Sequence, residues 1–457
     1  MKRLVIISNR VPPMKTRGRA AAGGLAAGLS SALKAFGGLW FGWSGEVKDT
    51  QETKVSTHRQ DNYTLATLHL SKENHEEYYN GFANRALWPL CHYRPNLVAY
   101  DRSFSVGYYR VNVLFAEAVM PLLEAEDTIW VQDYHLIPLG AELQRLGAKQ
   151  KMGFFLHIPW PASELVITLP EHRALVRALF AYDVVGFQTD RDVQSFLDYV
   201  IREADGALEP DGRVTCFGRT IHVKAFPIGI DAGSIASLAT QPEATAHAVR
   251  LVDSLAGRRL IIGVDRLDYS KGIDRRFSAY AKLLAKYPEH RAKVSLLQIA
   301  PPSRMEVSAY RAMRRELERL LGRINGEFAD YDWVPLRYVN KTYNHTALAG
   351  LYRTARVAFV TPLRDGMNLV AKEFIAAQDP ENPGVLVLSR FAGAARQLRE
   401  ALIVNPFDEQ SMVDALHRGL KMPLEERKSR WRSLMTNVED HDIDRWRDSF
   451  LNTLTAA

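Results

Sequence analysis

The sequence predicts an α/β protein made of two doubly wound domains, each a parallel sheet covered by helices, facing one another across a cleft. Three observations predict it. Short β-rich runs alternate with longer helical patterns from end to end. The 457 residues exceed one ordinary domain. The alternation is also interrupted once, by a hairpin-like pair at Arg213–Phe217 and Ile221–Phe226, before a second series begins at Arg259.

In the first half the expected strands are Leu4–Ser8, Thr64–Leu70, Thr128–Gln132, Gly153–Ile158 and Val184–Gln188, with helices at Leu25–Ala35, Glu73–Ala86, Tyr109–Glu124 and Asp190–Arg202. The second series has strands at Leu260–Asp265, Val294–Ile299, Leu336–Val339, Val357–Thr361, Val385–Leu388 and Leu402–Val404. Its helices fall at Ile273–Lys286, Glu306–Leu321, Thr346–Thr354, Leu369–Ala377 and Met412–Leu420. After Pro423 only helical patterns remain, Leu424–Met435 and Ile443–Leu454. The expected domains are therefore 1–228 and 229–435, with 436–457 a helix that has no sheet of its own and packs back on the first domain. Ligands of open α/β sheets bind beyond the carboxyl ends of the strands, so two such domains suggest a two-substrate enzyme with its chemistry in the gap.

Charge narrows the substrates. The net charge of +7, from 59 Lys and Arg against 52 Asp and Glu, favours acidic partners. The basic residues are interleaved with acids, as in Arg311–Arg319 around Glu316 and Glu318, which is a solvated helix face and not a nucleic-acid arm. Phosphorylated metabolites remain. Cys91 and Cys216 have no metal or redox spacing and read as plain buried residues. The apolar run after Lys2-Arg3 is a first strand and not a signal peptide, and no apolar run reaches bilayer length. A cytoplasmic protein without membrane contact is expected, in which Asn62-Tyr63-Thr64 carries no glycan.

Chemistry-bearing residues cluster at strand ends. Thr361–Glu373 follows the strand at Val357, breaks at Pro362 and restarts as a helix with Gly366 and Asn368 in its first turn and Glu373 in its second. Such a helix start attracts anions. Asp365 and Glu373 suit sugar hydroxyls instead, so the stretch fits a sugar nucleotide; the alternative for Asp365 is a helix N-cap. At the end of the Leu260 strand, Arg266 offers a planar fork and Lys271 a point charge for a pyrophosphate. Otherwise Arg266 pairs with Asp265 or Asp268 and Lys271 is solvated.

After the first strand come Asn9-Arg10, a basic loop with Lys15, Arg17 and Arg19, and then Gly23-Gly24. These glycines either let backbone approach a phosphate or soften a helix start. Neither a G-x-G-x-x-G nor a Walker motif is present. Trp130–His135 and Phe154–Pro159 are apolar strands ending in polar groups, which points Asp133 and His157 at the cleft and leaves His135 structural. Trp40, Trp43, Tyr78, Tyr79 and Trp88 form either core or a sugar-stacking wall. His75-Glu76 lacks the second His of a zinc motif, and no metal site is visible.

Taken together, Ser8-Asn9-Arg10, Gly23-Gly24-Leu25, Trp40–Gly45, Glu77–Asn80, Leu87-Trp88-Pro89, Asp133-Tyr134-His135, Gly153–Pro159, Arg266–Gly272 and Thr361–Glu373 resemble the trehalose-6-phosphate synthase family, retaining glycosyltransferases of GT-B type with two Rossmann-like domains. The motifs run in the family's order over nearly the whole chain. The resemblance implies transfer of glucose from a nucleoside diphosphate to glucose 6-phosphate, giving α,α-trehalose 6-phosphate, with no cofactor or metal. It assigns the donor to Gly23, Gly24, Arg266, Lys271, Tyr343 by the base, Asp365 by the glucosyl group, the helix start Gly366, Met367, Asn368, Leu369, Val370, Ala371 and Lys372, and Glu373 on the ribose. The acceptor falls to Arg10, Trp43, Tyr79, Trp88, Asp133 and Arg304. His157, Asp365, Arg266 and Lys271 are the implied catalytic groups, in a front-face attack where the leaving phosphate takes the acceptor proton.

Gln132 stands where relatives often have His, and Trp160 where Phe is familiar. The donor stays open among UDP-, ADP- and GDP-glucose. Alternatives are a related transferase with another acceptor, such as a glucosylglycerol-phosphate synthase or a pseudo-glycosyltransferase, or a silent sugar-phosphate-sensing subunit. No phosphatase domain follows, so release of free trehalose is expected elsewhere. Sugar nucleotide and sugar phosphate are the expected partners; a homo-oligomer is compatible with the sequence.

Overall fold

The computed structural model describes residues 3–11, 29–30, 32–33, 36–49, 54–60, 62–304 and 306–457. The chain divides into two units: Met1–Ile228 with Asp444–Ala457, and Gly229–Ile443. The segment that rejoins the first unit begins at Asp444 and not at 436, because the expected boundary falls inside the continuous helix Leu424–Asp440.

The first unit holds strands β1 (Arg3–Arg10), β2 (Gly38–Val47), β3 (Ser56–Gln60), β4 (Tyr63–Leu70), β5 (Asp127–Gln132), β6 (Lys151–Phe155), β7 (Val184–Phe187), β8 (Ala207–Leu208), β9 (Val214–Cys216) and β10 (Arg219–Ala225). They form one sheet in the order β3-β4-β2-β1-β5-β6-β7-β10-β9-β8. The stretch from β4 to β10 is parallel, while β3 and β9 pair antiparallel at its margins. Leu4, Val5, Ile6 and Ile7 are all buried at 0% exposure, as a central parallel strand covered on both faces requires.

Sequence periodicity does not announce β2, where glycines and tryptophans alternate in place of β-branched residues; its Gly38 would bring a Cβ to 1.9 Å from Leu4 O, so close strand packing selects glycine. The helix Leu25–Ala35 lies largely outside the described residues. The helix at Glu73–Ala86 exists but is wound in π fashion over His75–Leu87.

The C-terminal helix Ile443–Ala456 completes this unit. Phe450 stacks on Trp130 at 4.8 Å, and Trp446 lies 4.8 Å from the same ring. Gly153 and Gly186 make the room: a Cβ on either would come within 2.7 or 2.8 Å of the Phe450 ring.

The second unit holds β11 (Arg259–Val264), β12 (Val294–Ile299), β13 (Leu336–Val339), β14 (Val357–Val360), β15 (Val385–Ser389) and β16 (Leu402–Val404), all parallel, in the order β13-β12-β11-β14-β15-β16. Numbered from β11 this is 3-2-1-4-5-6, the Rossmann order, whose direction reverses between β11 and β14. The parallel strands of the first unit follow the same rule, reversing between β1 and β5. Among the described residues no helix is long and apolar enough to cross a membrane.

Candidate active site

In the second unit the loops after β11 and β14 meet at the reversal point. Leu363 N donates to Ser270 O at 2.7 Å, which ties the two loops together. Lys271 Nζ and Asp365 Oδ2 then form an ion pair at 2.5 Å, with side chains 10% and 15% exposed. Asn368 Nδ2 donates to the same carboxylate at 2.9 Å. Lys271 is therefore not solvated, and Asp365 is not the helix cap. Asn368 takes that role, in left-handed conformation at φ 72°, with its Oδ1 accepting from Ala371 N at 3.3 Å. The helix Leu369–Ala376 thus starts three residues later than Gly366, and its open donors are the N–H groups of Leu369 and Val370.

Gly272 makes the turn possible. Its φ is 62°, and a Cβ there would meet Thr361 O at 2.6 Å. Behind the loops lies a residue that motif reasoning passed over. Arg276 is wholly buried, pairs with Asp265 at 2.9 Å, and donates to Gln298 Oε1 at 2.7 Å and to Thr361 Oγ1 at 3.2 Å. One guanidinium thereby fixes the carboxyl ends of β11, β12 and β14. The available signal was its position on the buried face of Ile273, Phe277 and Tyr280.

Glu373 is 8% exposed and, among the described residues, has no ion pair or hydrogen-bonded side-chain partner; burial pushes its carboxyl up to about 7. A carboxylate so placed is a ready acceptor for ligand hydroxyls. Met367, Ala371 and Lys372 flank the helix start. They are 3%, 0% and 0% exposed, so their side chains face the interior and only backbone groups there could meet a ligand. Burial lowers the Lys372 ammonium to about 7. Arg266 is exposed at the end of β11. Tyr343 is half-buried before helix His345–Thr354, its ring edge-on to His247 with 6.4 Å between centroids.

Arg304 has a carboxylate neighbour in its own unit. It belongs to the second unit, its side chain is 4% exposed, and Nη1 lies 3.5 Å from Asp268 Oδ2 and 2.7 Å from Tyr310 Oη. Its φ of 49° is left-handed.

In the first unit the reversal point gathers a second group. Arg10 ends β1 with its guanidinium 5.7 Å from the Trp43 ring centre. Trp43 is 5.7 Å from Tyr79, which stacks on His75 at 5.3 Å and on His135 at 5.8 Å. His75 and Tyr79, four residues apart, share one face of the helix His75–Leu87. Trp88 is 4% exposed and covered by His92 at 4.0 Å, so it backs Tyr134 and offers little surface of its own.

Asp133, just past β5, is held at φ 74° and accepts from His157 N at 3.1 Å. A left-handed aspartate at a strand end is the kind of strained residue that marks a site. His157 Nε2 lies in hydrogen-bond contact with the Gln132 side-chain amide at 2.8 Å. Burial lowers this imidazole to about 3, so it is neutral at physiological pH. Gly23 and Gly24 lie outside the described residues.

One group elsewhere has metal-ligand character. Glu289, His290 and His417 bring their ligand atoms within 4.8 Å of one another. The two imidazoles hydrogen-bond each other at 3.0 Å, and Glu289 pairs with Lys421 at 3.3 Å. The group precedes β12, at the end of the sheet opposite Lys271 and Asp365.

Comparison with known proteins decides the family. The model of glycosyltransferase family 20 matches residues 2–456. The chain belongs to glycosyltransferase family 20. Within that family it is 49% identical to a trehalose-6-phosphate synthase of Sinorhizobium fredii, over 100% of this chain and 99% of the relative. It is likewise 49% identical to a solved Burkholderia xenovorans α,α-trehalose-phosphate synthase (UDP-forming) in complex with glucose-6-phosphate, covering 99% and 100% of the two chains with a TM-score of 0.96. An E. coli trehalose-6-phosphate structure bound with UDP-2-fluoro glucose is 45% identical over 99% and 98%, with a TM-score of 0.94. Two Rossmann-like units of GT-B type are thus the family 20 fold in this chain.

Proposed function

We propose that the protein is a retaining, UDP-forming trehalose-6-phosphate synthase that moves glucose from UDP-glucose to glucose 6-phosphate. The observation that carries this reading is the full-length match to a synthase solved with glucose-6-phosphate. Lys271, Arg266 and the open N–H groups of Leu369 and Val370 neutralise the departing pyrophosphate. Because they are held in place before reaction, they favour the transition state over the ground state. Asp365, oriented by Lys271 and Asn368, accepts from the glucosyl hydroxyls, and Glu373 accepts from the ribose. Gly23 and Gly24 approach the donor phosphates, and Tyr343 lies by the base.

The acceptor phosphate falls to Arg10 and to Arg304, the latter sharing its charge with Asp268. Tyr79, Trp43 and Asp133 hold the acceptor sugar, with Trp88 behind them. His157, neutral at physiological pH, stabilises the charge that develops at the reacting centre. The leaving phosphate takes the acceptor proton, so no protein nucleophile is required. The enzyme is cytoplasmic and works without a metal.

A panel of UDP-, ADP- and GDP-glucose with glucose 6-phosphate as acceptor tests this. The expected products are UDP and α,α-trehalose 6-phosphate, at a rate unchanged by EDTA. An inverted linkage, or equal use of glucose and glucose 6-phosphate, would overturn it.

A further inference from the structure

At the amino-terminal end of the second unit's sheet lies a cavity of about 290 Å3. Arg258, Arg259, Arg353, Arg356 and Arg427 line it, and no carboxylate is among its lining residues. They come from four directions: the turn into β11, the end of helix His345–Thr354, the turn into β14, and helix Leu424–Asp440. Two have carboxylate partners, Arg258 with Asp332 at 2.6 Å and Arg353 with Asp379 at 3.6 Å.

Among the described residues the other three do not. Arg259 donates to Leu420 O at 2.8 Å. Arg427, only 5% exposed, donates to Asn382 Oδ1 at 2.9 Å and to Pro383 O, while its buried Nε has no hydrogen-bond partner among the described residues. Half-buried Arg356 makes no side-chain hydrogen bond or ion pair among the described residues. Burial, then Arg427 and Arg259 beside it, lower its guanidinium to about 10. Like charges held together in a partly buried cavity oppose folding unless an anion joins them.

We propose that this cavity is a second anion site, distinct from the donor site, that takes a small metabolite bearing a pyrophosphate group. Three uncompensated guanidiniums match a group of about that charge, and arginine forks hold phosphate oxygens in pairs. The volume sits at the lower edge of small-molecule pockets, which begin at about 300 Å3, so a compact ligand fits and a dinucleotide does not. The site lies at the far end of β11 from Lys271, roughly 20 Å away for a strand of that length. A ligand there ties the start of β11 to the turn before β14 and to helix Leu424–Asp440.

Calorimetric titration of inorganic pyrophosphate into the Lys271→Ala protein, whose donor site is disabled, tests this. One equivalent is expected to bind. Adding Arg356→Glu is expected to weaken it at least tenfold, and Arg356→Gln to weaken it less. Arg356→Gln in the otherwise native chain keeps kcat and the circular dichroism spectrum, which shows that the fold survives. Failure of the Lys271→Ala protein to bind pyrophosphate would overturn the proposal. So would unchanged affinity in both Arg356 variants, equal affinity for inorganic phosphate, or an Arg356 effect confined to self-association.

Discussion

Glu373 shows how a single side chain carries both stability and function. Its carboxyl titrates near 7 in the fold against 4.5 for an unhindered glutamate. The folded protein therefore holds the proton more tightly than the unfolded chain, and stability falls as pH rises from about 4.5 to 7. Glu373→Gln is expected to raise the melting temperature of the ligand-free protein at pH 8 and to leave it unchanged at pH 4, as differential scanning calorimetry would read. The same substitution should raise KM for the sugar nucleotide, since the amide is a poorer acceptor. Lys271 serves the pyrophosphate and also orients Asp365. Lys271→Ala is expected to cut kcat/KM about a hundredfold or more while the folded state survives, and Lys271→Arg not to restore it, because a planar fork does not replace a point charge. An unchanged kcat/KM in the alanine variant would refute the donor-site assignment. The types and spacing of Lys271, Asp365 and Glu373 were legible in the chain. That Lys271 and Asp365 pair with each other was not, since 94 residues separate them.

Among the elements, the reversal between β11 and β14 depends on Arg276. Burial raises the Asp265 carboxyl above its ordinary range, and the Arg276 guanidinium beside it opposes part of that rise. Arg276→Met would leave that carboxyl alone in the interior, at a cost of about 3–5 kcal/mol. Urea denaturation should show this as a lower midpoint, and activity should fall because the loops carrying Lys271 and Asp365 lose their anchor. The strands themselves were readable from β-branched runs such as those of β11, β12 and β14, which a buried parallel sheet demands. β2 was not, because its glycines answer to a neighbouring strand and not to local propensity. Asp365 also has cap chemistry, but Lys271 holds its carboxylate, and Asn368 caps the helix that begins at Leu369.

The whole molecule closes its first unit with residues from its far end. Trp446 and Phe450 pack on Trp130 and Phe155, and Trp446 also reaches the His157 ring at 6.0 Å. Phe450→Ala is expected to destabilise the first unit by about 3–5 kcal/mol. A thermal melt with two transitions would show the loss in the unit containing His157, and equal loss in both would contradict the packing described. Sequence alone determined the alternation of strands and helices, the break at Ile228 and the strand-end motifs, because these follow from local periodicity and from chemistry written in short segments. Tertiary structure decided which helix-start residues turn inward, that Arg304 answers to Asp268, and that arginines from four separate segments share one cavity. Those outcomes depend on contacts between residues far apart in the chain, where burial and the nearest opposite charge, and not residue type, set what a side chain can do.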